Sequence, residues 1–523
     1  MTMALAGWGD PARRTGLPLH ALGWLEREIG LGAPSTPVPP WELPPSALDP
    51  VHQSRLVGLL GREHVRTDDQ ARLRHAAGRS YLDLLALRAG TADSPDAVLL
   101  PADAAEVAAV LRVCAEAGIA VVPFGGGTSV VGGVAPLRGR FASVVALDLG
   151  RLNALVAVDH EALTATLQPG LTGPAAEALL NAQGVTLGHF PQSYECATIG
   201  GYAATRSSGQ ASTGYGRFDE MVLGLVVQTP AGELRLGRGA ASAAGPDLRG
   251  LLVGSEGAFG VITEVTVRVR PQPAVKRYEG FFFRSWAAGI AALRAMEQAG
   301  LAPDVARLSD PDETKVQLAL SGASKVQRGY LRARRATCFA VFGWEGTAET
   351  VRSRRTASLA VVTGAIGVGT SAGDKWAHGR YDGPYLRDDL LDAGVLVETL
   401  ETSARWSSLL TTHAAVRSAL QTALPGAVVM CHISHLYRQG ASLYFTVLGK
   451  QADEPIAQWQ QAKRAATDAI VASGATITHH HAVGADHRDW MTDEVGALGV
   501  EVLRAVKAVL DPAGILNPGK LIP

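Results

Sequence analysis

Three stretches of this 523-residue chain combine residue types that do chemistry. The first is Pro123-Phe124-Gly125-Gly126-Gly127-Thr128-Ser129, three consecutive glycines between apolar runs. Bare backbone of this kind permits positive φ and lets successive amide N–H groups point at one anion such as a pyrophosphate. It matches neither common nucleotide loop: a P-loop ends in Gly-Lys-Ser/Thr, and a Rossmann fingerprint needs a glycine where Val130 stands. The second stretch is His479-His480-His481, adjacent imidazoles that can bind phosphate or move protons near neutral pH. On a strand only His479 and His481 would share a face. Zinc would need further ligands, for which Asp486 and His487 are the candidates, and no metal is expected. The third is Val305-Ala306-Arg307-Leu308, where an arginine inside an apolar run must find an anion if it is buried.

Two more segments share the character of the glycine loop. One contains Gln192, Ser193, Ala197, Thr198 and Gly201 and continues through Thr205-Arg206-Ser207-Ser208. The other is Gly254-Ser255-Glu256-Gly257-Ala258-Phe259-Gly260-Val261-Ile262. Glycines, hydroxyls and small residues recurring in three loops are what an extended dinucleotide would require of one domain.

The elements that must position these loops follow from periodicity. Val107, Val110, Leu111 and Cys114 repeat at helical spacing between Asp103, with Glu106 as a capping box, and the stop Gly118. The short apolar strand Ile119 to Pro123 follows, so the glycine loop sits at a strand end. Strands are expected at 144–149 and 162–167, and a helix over 172–183 closed by Gly184. Proline-rich 31–50 reads as an extended strap over the surface. After Pro271 and Pro273 the run Phe281-Phe282-Phe283 opens a region without a glycine cradle. Val495, Leu498, Val502, Val506 and Val509 mark a final helix.

Hydrophobic residues make up 47% of the chain, enough for a large core and two domains, and the net charge of −1 offers no electrostatic footprint for nucleic acid or an anionic membrane. Cys114, Cys196, Cys338 and Cys431 lack CxxC spacing and read as reduced thiols. With no apolar run of membrane-spanning length and no export signal in 1–28, a cytoplasmic location is expected.

Taken together, Gly-Gly-Gly-Thr-Ser, Thr198-Ile199-Gly200-Gly201 and Gly254-Ser255-Glu256-Gly257 through Gly260-Val261-Ile262-Thr263 resemble the flavin domain of the FAD-binding oxidases of the vanillyl-alcohol oxidase type. The resemblance implies an α+β, two-domain fold: a PCMH-type flavin domain and a substrate or cap domain on an antiparallel sheet. The expected layout is 1–92 strap and helical region, 93–272 FAD domain, 273–490 cap domain, and 491–523 returning to the FAD domain. Many members attach FAD through a histidine in the first glycine loop. None lies between Gly125 and Ser129, so FAD is expected without that covalent bond.

Within that family the chain resembles the alkyldihydroxyacetonephosphate synthases. The likeness rests on His479-His480-His481, Gly7-Trp8-Gly9, Pro384-Tyr385-Leu386-Arg387-Asp388, Glu401-Thr402-Ser403 and Gly440-Ala441-Ser442-Leu443-Tyr444-Phe445. It implies exchange of the acyl chain of 1-acyl-dihydroxyacetone phosphate for a long-chain alcohol, with the flavin as covalent partner and no net redox change. Carried over, Tyr444 is the acid/base, Arg307 a residue needed for activity, and His480 and His481 the phosphate and proton-transfer groups. Arg387 would hold substrate phosphate or ester oxygen, with His479 and Thr399 beside it. An apolar tunnel is expected; Phe281, Phe282 and Phe283 are candidate lining, with packing in the core as the favoured reading of these three. Lipid substrates, a homodimer and peripheral membrane contact belong to the same expectation. The rival is an FAD oxidase or dehydrogenase of a 2-hydroxy acid, in which Arg307 or Arg387 binds carboxylate and a histidine takes the hydroxyl proton.

Overall fold

The computed structural model describes residues 3–38, 41–322 and 324–523. The first glycine loop is set by a parallel crossover. Strand Ala97–Leu99 leads through helix Ala104–Ala117 to strand Ile119–Phe124, with Ser143–Asp148 hydrogen-bonded between them. Asp103 caps the helix by accepting the Glu106 amide, while the Glu106 carboxylate takes the Ala102 amide, not that of Asp103. Left-handed Gly118 ends it, as its position predicts. Val107, Val110, Leu111 and Cys114 are all buried against the sheet. Phe124 therefore ends a fixed strand, and the glycines begin where ladder bonding stops.

A five-stranded antiparallel sheet built on Val222–Thr229 and Val261–Arg268 completes the flavin part. The chain then enters an eight-stranded sheet whose pairings are all antiparallel. One half of it consists of Val305–Ser309, Val428–Ile433, Gly440–Lys450 and Val395–Arg405, in that order, the last at the end of the sheet. Phe281, Phe282 and Phe283 belong to edge-side strand Val275–Phe283 and are buried in core clusters, where Phe281 packs on Phe342 and Phe282 on Phe339. They pack the cap sheet, and each buried phenylalanine contributes about 1.5–3 kcal/mol.

The tail returns to the flavin part: Val121 donates to the Ile515 carbonyl, and Asn517 donates back to the Val121 carbonyl. The expected last helix spans Met491–Leu510, with a non-helical Gly496 inside it. Leu503, Val506 and Leu510 face the core, whereas Leu498 is 78% and Val509 69% exposed, so part of the apolar stripe looks outward. Proline-rich 31–38 and 41–49 contain no helix or strand and are pinned at intervals, Gly32 to Gly394 and Val38 to Arg88. Among the described residues no helix is long and apolar enough to cross a membrane.

Candidate active site

Strand register builds one wall of the site. His432, Tyr444 and Glu401 lie directly opposite one another on three adjacent strands, so their side chains share one face of the cap sheet. Thr399, two residues before Glu401, is on the same face and hydrogen-bonds Tyr444. The Tyr444 ring is stacked between His432, at 4.8 Å between centroids, and His480, at 5.9 Å, with the His481 ring edge-on at 5.4 Å. Burial pushes the phenol up to about 12, so at neutral pH Tyr444 carries its proton.

The histidine run is not a strand, and the alternation expected of it does not occur. Residues 479–481 bend around the Glu401 carboxylate, which accepts the backbone N–H groups of His479, His480 and His481 and the Thr478 hydroxyl. Successive amides that converge on one anion turn the backbone, and the three rings radiate instead of alternating. His479 stacks on His435, whose Nδ1 lies 2.6 Å from Ser212 Oγ and 3.2 Å from Ser208 Oγ. The cluster thereby reaches the second flavin loop.

Burial dominates the electrostatics here. It drives His435 and His479 well below the ordinary imidazole range and His481 down to about 3, so all three are neutral at pH 7. Despite its own burial Glu401 is held well below the usual carboxylate range, chiefly by His480, whose Nδ1 lies 3.4 Å from it. His435, His479 and His480 bring ring nitrogens within 4.8 Å of one another. Those of His435 and His479 are committed to Ser212, Tyr437 and His480.

The two arginines differ. Arg307 is already paired, its Nη2 2.5 Å from Glu313 Oε1 and 3.1 Å from His432 Nδ1. It braces the imidazole behind Tyr444. Arg387, on helix Gly383–Asp392, donates from Nη1 to the Arg79 carbonyl, but its Nε and Nη2 are buried without a partner among the described residues. Its charge reaches both Glu398 and Tyr444. Neighbouring Asp388 accepts the Trp8 amide at 2.6 Å, and Tyr385 lies against Gly9, so Gly-Trp-Gly and Pro-Tyr-Leu-Arg-Asp form one contact.

The three glycine loops touch one another. A Cβ on Gly125 would stand 2.3 Å from Thr198 Oγ1, on Gly126 2.0 Å from the Cys196 carbonyl oxygen, and on Gly257 2.7 Å from Pro123 Cγ. Among the described residues, the amides of Gly125, Gly126, Gly127, Thr128 and Ser129 donate no hydrogen bond to the protein. Five unspent donors at a strand end fit the pyrophosphate of a dinucleotide.

Several side chains of these loops are spent on holding them. Arg206 donates to the Val253 and Gly250 carbonyls, Thr205 to Gly201, and Gln192 to the Arg380 carbonyl. Ser207 bonds His189, and Gly260 leaves room for Val227. Glu256, raised to about 7 by burial, accepts the Val483 and Gly484 amides just beyond the histidine run. Asn517 ties Gly133 to Glu256. The residues to which the sequence reading gave no role are Glu401, Glu313, His432, His435 and Asn517. Glu401 and Asn517 lie inside segments that resemble the family, whereas His432 on a strand, His435 in a loop and Glu313 on helix Pro311–Leu320 carry no local mark of a site.

An FAD binding domain matches residues 95–237, and an FAD linked oxidase C-terminal domain matches 272–521. The alkyldihydroxyacetonephosphate synthase of Dictyostelium discoideum is 35% identical over 88% of this chain and 79% of its own. The chain belongs to the alkyldihydroxyacetonephosphate synthase family. The synthase of Trypanosoma brucei brucei is 34% identical over 92% of this chain and 82% of its own. A solved alkyldihydroxyacetonephosphate synthase superposes with a TM-score of 0.83 at 30% identity, covering 99% of this chain and 98% of that one. The fold is thus the two-domain FAD-binding oxidase fold, and the cofactor is FAD. The unspent amides of the first loop and the loop contacts made possible by Gly125, Gly126 and Gly257 fit it.

Proposed function

We propose that this enzyme replaces the acyl chain of 1-acyl-dihydroxyacetone phosphate with a long-chain alcohol, releasing a fatty acid and forming an ether bond. The observation that carries the reading is Arg387, a guanidinium with two buried nitrogens unpaired among the described residues, beside a protonated Tyr444 and the neutral imidazole of His481. A buried cation with open donors calls for an anion, and a phosphate or a departing carboxylate supplies one.

FAD, held without a covalent bond to Gly125–Ser129, would lie along the three loops and supply the electrophilic and electron-storing chemistry of the exchange. The chain's own residues do the rest. Arg387 holds the substrate anion and keeps it oriented. Tyr444, in contact with Thr399, exchanges a proton with C1 of the dihydroxyacetone unit. A phenolate whose acid form is held near 12 takes a proton back readily, which suits a group that must end each turnover protonated. Arg307 and Glu313 fix the ring of His432 and so the plane of Tyr444. The neutral imidazoles supply hydrogen bonds without adding charge. One carboxylate leaves and one alcohol enters, so no electron acceptor is consumed.

The 2-hydroxy acid reading leaves Tyr444 without a task and requires an acceptor. Tyr444→Phe separates the two: under the synthase reading it abolishes both fatty-acid release and ether formation, whereas a histidine-driven oxidation would survive in part. Ether formation at the wild-type rate by this variant would contradict the proposal.

A further inference from the structure

His480 turns one ring nitrogen to the protein and one away from it. Its Nδ1 lies 2.8 Å from His479 Nδ1 and 3.4 Å from Glu401 Oε2. Its Nε2 bonds to no protein group among the described residues, and the side chain keeps 14% of its surface open. Two imidazole nitrogens at 2.8 Å share a single proton, one donating and the other accepting.

With both rings neutral, two proton arrangements satisfy that contact. In the first, His480 carries its proton on Nδ1 and His479 accepts it, so His479 carries its own proton on Nε2, 2.5 Å from Tyr437 Oη. In the second, the Tyr437 hydroxyl donates to His479 Nε2, His479 donates from Nδ1, and His480 is left with its proton on Nε2. Glu401 separates them. Its buried carboxylate already gathers three amides and a hydroxyl. A further N–H at 3.4 Å is attracted to it, whereas the second arrangement would turn the lone pair of His480 Nδ1 towards the anion. Arg217 hydrogen-bonds Tyr437 as a donor, and the phenol oxygen has a second lone pair for His479 Nε2–H, so the first arrangement is satisfied at both ends.

We propose that Glu401 fixes His480 as its Nδ1–H tautomer, leaving Nε2 a bare proton acceptor beside Tyr444. Glu401 is then a positioning residue. It acts through His480, and the consecutive backbone amides of His479, His480 and His481 build the cradle that holds the anion. The inference rests on the proposed function only for its consequence, that the imidazole next to Tyr444 receives a proton instead of giving one.

The test uses the full-length, FAD-loaded protein labelled with ¹⁵N-histidine. Long-range ¹H–¹⁵N spectra at neutral pH distinguish protonated from bare ring nitrogens, and the pattern lost in His480→Gln belongs to His480. A protonated Nδ1 and a bare Nε2 are expected. A protonated Nε2, or an imidazolium, overturns the proposal, and this result comes from the native chain whatever a variant does. In Glu401→Gln the amide group offers donors where the anion stood, so His480 should change to Nε2–H. The kcat for ether formation should fall about 100-fold, with KM for the acyl substrate within about twofold. A Glu401→Gln variant that keeps the Nδ1–H pattern refutes the role of Glu401. If the native pattern is found but the enzyme makes no ether, the tautomer inference stands and the functional reading falls.

Discussion

Gly126→Ala tests how the first glycine loop is built. A Cβ at this position would sit 2.0 Å from the Cys196 carbonyl oxygen, 2.7 Å from its carbon and 2.9 Å from Ala197 Cα. All three are backbone atoms, so no side-chain rotation relieves the contact, and the loops must part by more than about 1 Å. The displaced segment runs directly into Thr198, which caps helix Ile199–Thr205. The change therefore disturbs two of the three loops at once. Overpacking of this kind costs about 1–3 kcal/mol, which, expressed in cofactor affinity, is a weakening of about 5- to 150-fold. The assay is titration of apoprotein with FAD, followed by quenching of flavin fluorescence. Gly58→Ala is the control: it lies in helix Pro50–Leu60 with nothing within 4 Å of the added atom, and it should leave FAD affinity unchanged. FAD affinity equal to the wild type in Gly126→Ala would refute the argument that these glycines exist to let the loops touch.

Arg387→Gln should raise KM for 1-acyl-dihydroxyacetone phosphate by about 100-fold, the loss of a charged hydrogen-bonded contact, while leaving KM for the alcohol unchanged. Steady-state kinetics with each substrate varied in turn decides this. Stability should fall on acidification. His189 and His481 are pushed by burial to about 3 and His487 to about 4, below the unfolded value near 6.5. Their contribution is complete above pH 6.5 and is lost as pH falls below it, by about 2 kcal/mol each at pH 5. Glu256, raised to about 7, opposes this over pH 7 to 5 by about 2–3 kcal/mol, leaving a net loss of a few kcal/mol. Thermal unfolding at pH 7, 6 and 5 measures it. A midpoint that rises on acidification would contradict the assignment of neutral buried imidazoles. Glu313→Gln should loosen Arg307 and His432, lowering kcat about tenfold with little change in KM, since Tyr444 loses its support but Arg387 is untouched.

The flavin loops were legible because glycine carries backbone information directly: Gly125, Gly126 and Gly257 stand where any Cβ meets another loop. The crossover helix was legible because Asp103, the apolar period and Gly118 agree. The shape of the histidine run was not. It depends on Glu401, far away in sequence, and an alternation rule knows nothing of a carboxylate that gathers three consecutive amides. Arg307 was visible as a charge in an apolar run, and Asp310-Pro311 marks the start of the helix that follows, but nothing in the sequence says that Glu313 on that helix turns back to pair with Arg307. The outward-facing Leu498 and Val509 show the converse limit: helical spacing identifies a helix, not what covers it.

The central claim is tested most directly by incubating the FAD-loaded enzyme with 1-palmitoyl-dihydroxyacetone phosphate and hexadecanol, with oxygen and other electron acceptors removed, and weighing the products by mass spectrometry. Hexadecyl ether and free palmitate in equal amounts over many turnovers are expected. No ether, together with bleaching of the flavin by a 2-hydroxy acid, would contradict the account and assign the protein to an oxidase or dehydrogenase.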